Sequence, residues 1–597
     1  MTTCPKCGAQ FADGTKFCEA CGAQMTEAEV VVNTNENVQF QQPQQPEQPQ
    51  QPQNNAAKSP AKFIKLGAIA VVAVIAVIVL CSLIFSGGKN NFTLYKKDGE
   101  LFFTNLPKFD PQEITSDFVS SSHVLSKDGK TLFFYDKEAK ALYYRDVTNP
   151  KKEAEKISSD VNSFEINEKA NVVTYLKNYD NEKGVGDLYQ HNLKEGNKIK
   201  GDVRNFWTSE DGKKILYVDD GNNLYLKNGK KDAEKIKGEI SNIYFVSGDL
   251  STIYYAADGT LYCKKGNKDA TKIDSDVTGI QRIYETGEVL YTKENKKDEK
   301  NKETETESAT SSTGFIQKTY TLYYFDGKDK KELTDEYSDY SDYDYALDVP
   351  VFIYSIAEET KKDDKVEIEH TYFLLADGET SEITTDDVSA VYISNDGKEV
   401  LITADVNDKG YGTVYLAKIS GKTMKTPEKY DEDAGYAYFV GEKNDILIEK
   451  DYSDKNDKYT LYFNKTKVDD DVYTQRYNKE TKELIYFTDV NDKNIGTMKI
   501  FNGKKSAKIS DDIYVSALNV TNEGNVLFFK DYKVNEEDST KNRGDLYVID
   551  GKNVKKIDED VQSLYTGVDF DYVRESKYDR KISVSFPKLK GELEVEK

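Results

Sequence analysis

Four cysteines stand within the first 21 residues as two pairs, Cys4-Pro-Lys-Cys7 and Cys18-Glu-Ala-Cys21. Two Cys-x-x-Cys knuckles present four thiolates, a set suited to tetrahedral Zn²⁺. Gly8 and Gly22 follow the knuckles, where the backbone must turn tightly. Four protein ligands leave no open position for a substrate. The spacing therefore predicts one structural Zn²⁺ site, with ligands Cys4, Cys7, Cys18 and Cys21, rather than a catalytic one. A segment this short buries no useful core, so metal binding, worth roughly 10–16 kcal/mol in small zinc modules, must supply its folding energy.

The pattern CPxCG…FCxxCG, carried by Cys4, Cys7, Phe17, Cys18, Cys21 and Gly22, resembles the short bacterial zinc-ribbon family. The resemblance covers residues 1–25 and implies a structural metal site. The only basic residues among these knuckles are Lys6 and Lys16, offset by Asp13 and Glu19. A protein contact is expected of this module, not nucleic-acid binding, which needs cationic surface. The whole chain carries a formal charge of -23, which points the same way.

Residues 26–61 are rich in Gln and Pro and have almost no aliphatic content after Val32, so they read as a disordered linker. A transmembrane helix is expected over 63–86. Its core, Leu66 to Phe85, has no charged residue and thirteen Leu, Ile, Val or Phe. Twenty residues at about 1.5 Å rise cover the roughly 30 Å of bilayer hydrocarbon. Lys58, Lys62 and Lys65 precede the span, which places the N-terminus in the cytoplasm and the remainder outside the cell. Reduced thiolates for zinc require the same orientation. The expected location is the cell membrane, crossed once.

From residue 92 to 597 the chain repeats. A Tyr follows Leu or a similar residue at Tyr143, Tyr189, Tyr225, Tyr262, Tyr323, Tyr372, Tyr415, Tyr462 and Tyr547, with Lys499 in the equivalent place. The interval averages about 45 residues, the length of one four-stranded propeller blade. Residues 203–239 show the unit: a strand at Val203–Trp207, a Glu-Asp-Gly-Lys turn, a strand at Ile215–Val218, an Asp-Gly-Asn turn, a strand at Leu224–Leu226 and a short fourth strand. The joint Lys-Ile-x-x-Asp-Val recurs at 156–161, 198–203, 272–277 and 556–561. Both faces of the strands are apolar or aromatic, as in blades covered on two sides.

The predicted fold class is all-β, a β-propeller ectodomain of ten to eleven four-stranded units. Residues 92–118 supply three strands and Val561–Tyr565 a first strand, so the two ends are expected to complete one blade. The count exceeds the usual four to eight blades per ring. This favours two propellers with a break in 294–350 over one large ring. The repeats resemble the TolB-like and WD40-like bacterial propellers, and the propeller-like domains of unknown function found behind zinc ribbons and a membrane span.

Four features of the ectodomain could carry function. Unit length varies mostly between second and third strands, at 294–318, 358–370, 405–412, 451–458, 489–496 and 530–544, loops that emerge on one face. Asp405/Asn407/Asp408 and Asp489/Asn491/Asp492 alternate oxygen ligands as calcium loops do, although hairpin turns explain them better. Asp160, Asp202, Asp276, Asp387, Asp471, Asp512 and Asp560 stand at the joints and could form an acidic rim that binds cations or amines, although such an Asp more often hydrogen-bonds the local turn. Tyr337, Tyr340, Tyr343 and Tyr345 lie among Asp residues and could stack on sugars, although an irregular blade strand explains them better. No G-x-S-x-G or H-E-x-x-H motif is present, and His123, His191 and His370 fall in different registers. The expected function is therefore binding of an envelope or extracellular ligand by the propeller, with a cytoplasmic protein contacting the ribbon. A structural envelope scaffold, or a surface glycan- or peptide-processing enzyme, is the alternative.

Overall fold

A computed structural model describes Thr2–Thr3, Gln10–Phe11, most of residues 92–564 with a principal gap at 296–317, and Lys581–Ser585. Thr2 and Thr3 pair with Phe11 and Gln10 in an antiparallel hairpin. The four cysteine ligands, the linker and the expected span lie outside the described residues. Among the described residues no helix is long and apolar enough to cross a membrane.

The region from residue 92 onward is all-β among the described residues and built from antiparallel four-stranded units, here numbered as blades in chain order. Blades one to ten occupy 118–158, 161–200, 203–237, 240–275, 279–338, 343–382, 388–434, 436–469, 472–510 and 513–558. The eleventh is made from both ends. Residues 561–564 form its first strand and pair with Phe92–Lys97, with Tyr95 opposite Leu564. Two further strands, Glu100–Asn105 and Gln112–Thr115, complete it.

Apolar packing follows the chain around. Leu94, Leu101 and Phe103 of blade eleven share a buried cluster with Leu132, Phe134 and Val147 of blade one. Phe133 and Leu142 of blade one pack on Val173 and Tyr175 of blade two. Each later pair of neighbours shares its own cluster, up to Leu527 and Phe529 of blade ten against Tyr95 and Val561 of blade eleven. The order of packing is thus cyclic. It also runs through 294–350, where the sequence suggests a break. Tyr284, Leu290, Leu322 and Tyr324 of blade five bury against Phe352, Tyr354 and Leu375 of blade six. Arg282 lies between the rings of Tyr284 and Tyr345, 5.0 and 4.5 Å from their centroids, and donates to the Leu347 carbonyl at 3.1 Å.

The tyrosine anchors have a packing role. On the third strands they face an aromatic residue of the second strand in register, as Tyr189 faces Tyr175, Tyr225 faces Tyr217 and Tyr262 faces Tyr255. These rings stack with centroids 5.6, 5.2 and 5.5 Å apart. Aromatic cross-strand pairs contribute roughly 0.2–1 kcal/mol each beyond Ala pairs, which explains the choice of Tyr on strands buried from both sides.

Joints between blades share a backbone solution. Asp160, Asp202, Glu239, Asp276, Asp387, Asp433, Asp471, Asp512 and Asp560 all have φ between 49° and 60°. Asp tolerates this left-handed region better than most residues. At Asp202, Asp471, Asp512 and Asp560 the turn lies inside one long strand whose first part closes a blade and whose second part opens the next. First strands of successive blades approach one another, as expected nearest the axis. Lys581–Ser585 adds a fifth strand to the inner edge of blade four, with Ile243 opposite Val584.

Candidate functional site

Strand direction fixes two faces. Joints and the loops between second and third strands lie on one, here the loop face. Turns between first and second, and between third and fourth, strands lie on the other, the turn face. The turn face is built for rigidity. Ser126, Ser209, Ser247 and Ser394 each donate through Oγ to an Asp two residues on, at 2.7–2.9 Å. Backbone N–H groups of the returning strand then donate to the same Ser and Asp, as Lys213 N does to Asp211 (2.9 Å) and Lys214 N to Ser209 (2.9 Å).

On the loop face, the two loops with alternating oxygens are hairpin turns. Asn407 Oδ1 accepts from Lys409 N (2.9 Å) and Tyr411 N (3.2 Å). Asn491 Oδ1 accepts from Lys493 N and Ile495 N at 2.9 and 3.2 Å. The Asn oxygens are taken by backbone N–H groups, and Asp405 and Asp489 accept from the hydroxyls of Tyr415 and Thr488. Among the described residues no group of His, Cys, Asp and Glu is arranged to hold a metal.

The Tyr337–Asp348 stretch divides. Tyr337 is buried between blades five and six. Tyr340 and Tyr343 remain exposed, and Tyr343 stacks on Tyr345 at 6.3 Å. The histidines fall in blades one, two and six. His191 Nδ1 accepts from Leu193 N at 3.0 Å, and burial lowers its pKa.

His370 has the residue types of a hydrolytic triad beside it. Ser355 Oγ lies 3.0 Å and Asp342 Oδ2 3.8 Å from Nδ1. Both partners address the same ring nitrogen, whereas a triad needs the nucleophile and the carboxylate on opposite nitrogens. Ser355 is fully buried and accepts from Asp342 N at 2.8 Å. This arrangement ties blade six together and does not activate a nucleophile. Cys263, the free thiol of blade four, is buried and its pKa is raised by that burial, conditions of an inert cysteine.

A polar network where blades eight and nine meet is the candidate site. Tyr438 stands on the first strand of blade eight, Glu449 on the second, Tyr459 on the third and Gln475 on the first strand of blade nine. Gln475 Nε2 donates to Glu449 Oε1 (2.8 Å) and to Tyr438 Oη (2.6 Å). Tyr438 Oη donates to Glu449 Oε1 at 3.2 Å, and Tyr459 Oη donates to Gln475 Oε1. Burial pushes the Glu449 pKa up, against the hydrogen bonds from Gln475 and Tyr438. Tyr436, paired in register with Glu449, is 44% exposed. Tyr436 begins its strand and Glu449 lies four residues before the end of its own at Ser453, so the network sits toward the loop-face end of the blade. A half-buried carboxyl able to hold or release a proton, flanked by phenols and an exposed ring, can bind an amine, a hydroxylated group or a sugar face.

Sequence reasoning did not find this network. Its members are a Tyr, a Glu, a Tyr and a Gln on four strands, and nothing in their spacing separates them from the other Tyr and Glu residues. A second missed set carried a signal. At the joint of blades four and five, Asp274 accepts from Tyr291 Oη (2.9 Å) and pairs with Lys293 (2.6 Å) and Lys330 (2.9 Å). Asp469 holds Tyr486 (2.9 Å) and Lys499 (2.8 Å), and Asp558 holds Tyr95 (2.8 Å) and Lys97 (2.7 Å). Each Asp stands two residues before a joint Asp, in Lys-(Ile/Val)-Asp-x-Asp, while the same place is Ser158 or Lys200 elsewhere. The third of these clamps joins the two ends of the β-sheet region.

No protein-family model matches the chain, and no curated protein does. Solved structures similar to it include a eukaryotic initiation factor, at 10% identity over 71% of this chain and 97% of that one, TM-score 0.34. The tricorn protease is similar at 12% identity over 82% and 61%, TM-score 0.24. Porphyromonas gingivalis dipeptidyl peptidase 4 is similar at 11% identity over 73% and 59%, TM-score 0.28. The chain thus spans about three fifths of the length of these two peptidases. At such scores the likenesses bear on no residue and no activity. The propeller-like architecture is read from the strand pairing above.

Proposed function

We propose that this chain is a single-pass membrane protein whose extracytoplasmic propeller binds an envelope or extracellular ligand at the loop-face mouth between blades eight and nine. The ring is a single one of eleven blades, on the strength of the cyclic order of clusters, rather than two in succession. Residues 66–85 anchor it with the N-terminus in the cytoplasm. Cys4, Cys7, Cys18 and Cys21 hold one structural Zn²⁺ in a ribbon that contacts a cytoplasmic protein.

The observation that carries the binding reading is the coincidence of two features. The long loops gather on one face, and the half-buried Glu449 with its phenols opens on that same face beside the exposed Tyr436. Binding is favoured over catalysis because the Ser-His-Asp grouping at His370, found among the described residues, lacks triad geometry. The test is crosslinked pull-down from intact cells with separate tags at the two ends, comparing the natural chain with Glu449→Gln and Tyr436→Ala. The expected result is an ectodomain partner recovered by the natural chain and lost from both variants. Equal recovery from all three sinks the assignment of this mouth. Metal analysis of the purified full chain should give one zinc, and none in Cys18→Ser.

A further inference from the structure

We infer that the ring is held with its turn face against the bilayer surface and its loop face outward, so that a ligand reaches Glu449 from outside and not from the membrane. This rests on the reading of residues 66–85 as a span. In every blade the first strand runs from the loop face to the turn face, and the second strand returns. Phe92 begins the second strand of blade eleven, so the chain enters the ring on the turn face. The other end of that strand confirms the direction. Gly99 N donates to Gln562 Oε1 at 2.9 Å, and Gln562 Nε2 donates to the carbonyl of Thr540 at 2.9 Å, in the long loop of blade ten.

Length decides between the two orientations. Residues 86–91 are six residues, which reach about 20 Å when fully extended. With the turn face toward the bilayer, that reach suffices with slack. With the loop face inward, Phe92 would stand above a six-residue strand, about 20 Å of blade, plus the loops beneath it. The connection would be exhausted before it cleared the loops.

The test uses the full chain in proteoliposomes containing lipids with acceptor-labelled headgroups. An azide-bearing residue replaces exposed Lys213 on the turn face, or exposed Lys409 on the loop face, and a donor dye is attached. Energy transfer should be several-fold stronger from position 213 than from 409. A second pair, Lys398 and Lys493, guards against a misfolded variant. Chain that floats with the vesicles but transfers equally from both faces, or more from 409, overturns the orientation and leaves the anchoring intact. Chain that fails to float overturns the anchoring and the orientation with it.

Discussion

Asp274 and Glu449 are both carboxyl side chains at junctions between blades, and burial opposes the charge of each. Their surroundings send them in opposite directions. Lys293, Lys330 and the Tyr291 hydroxyl outweigh burial at Asp274 and hold its pKa down at about 2. Glu449 has only the neutral donors Gln475 and Tyr438, and burial wins. The difference separates a carboxylate that fastens two blades from a carboxyl that burial inclines to keep its proton. Pairing with two cations satisfies Asp274 completely, whereas the network around Glu449 leaves it short of a positive partner.

The largest expected effect comes from breaking the clamp. Asp274→Ala leaves the mostly buried Lys293 and the half-exposed Lys330 without their carboxylate and should cost about 2 kcal/mol of stability, read by denaturant unfolding of the purified chain. Glu449→Gln should cost nothing at neutral pH, and a comparable loss there would abolish the contrast.

The pH dependence sharpens it, because the two groups have opposite signs. The Asp274 contribution is present above its unfolded pKa near 3.8 and is lost as pH falls toward about 2, since the unfolded chain then binds the proton more readily. Glu449 binds its proton more tightly when folded, so stability falls as pH rises from its ordinary 4.5 through the raised value. Melting temperatures across pH 2 to 8 should show that second slope flattened in Glu449→Gln, and the acid-side loss reduced in Asp274→Asn.

A smaller effect is expected at the equivalent clamp of blades eight and nine. Lys499→Met removes the single cation on Asp469 and should cost about 1 kcal/mol, since both groups are partly solvated. The smallest belongs to a third kind of carboxyl, the joint Asp, whose value lies in its backbone. Asp512→Ala should lose about 1 kcal/mol by forcing a Cβ-bearing residue without a local acceptor into φ 60°, while Asp512→Gly should be close to neutral. Equal losses from the two would mean that the side chain, and not the conformation, matters there.

Much of the fold was legible because a repeat announces itself. Asp-Gly turns, the Tyr anchors and the Lys-Ile-x-x-Asp-Val joint recur with a fixed order, and the pairing of Val561 and Leu564 with 92–97 follows from counting strands. The place of the joint Asp was readable, but its role was not: a side-chain bond to the local turn was expected, and what nine joints share is a left-handed backbone, at Glu239 as well as at the Asp residues. The division of the ring was not, because whether blade five packs on blade six depends on side chains such as Arg282 and Phe352 meeting across a variable loop. The clamps lay half-visible in the third position of the joint. Their partners Tyr95, Tyr291 and Tyr486 look like any other core tyrosine of a second strand.

By itself the sequence determined the repeat, the strand order, the acidic joints and the composition of the Cys-x-x-Cys pairs and the apolar run, because each is a matter of residue type and local spacing. Only the tertiary structure decided which carboxyls are neutralised. Asp274 and Glu449 differ by what lies across a blade interface, and the sequence separation between such partners, 56 residues from Asp274 to Lys330, carries no local pattern. Electrostatics depends on distance and burial in space, and those quantities exist only once the blades have packed.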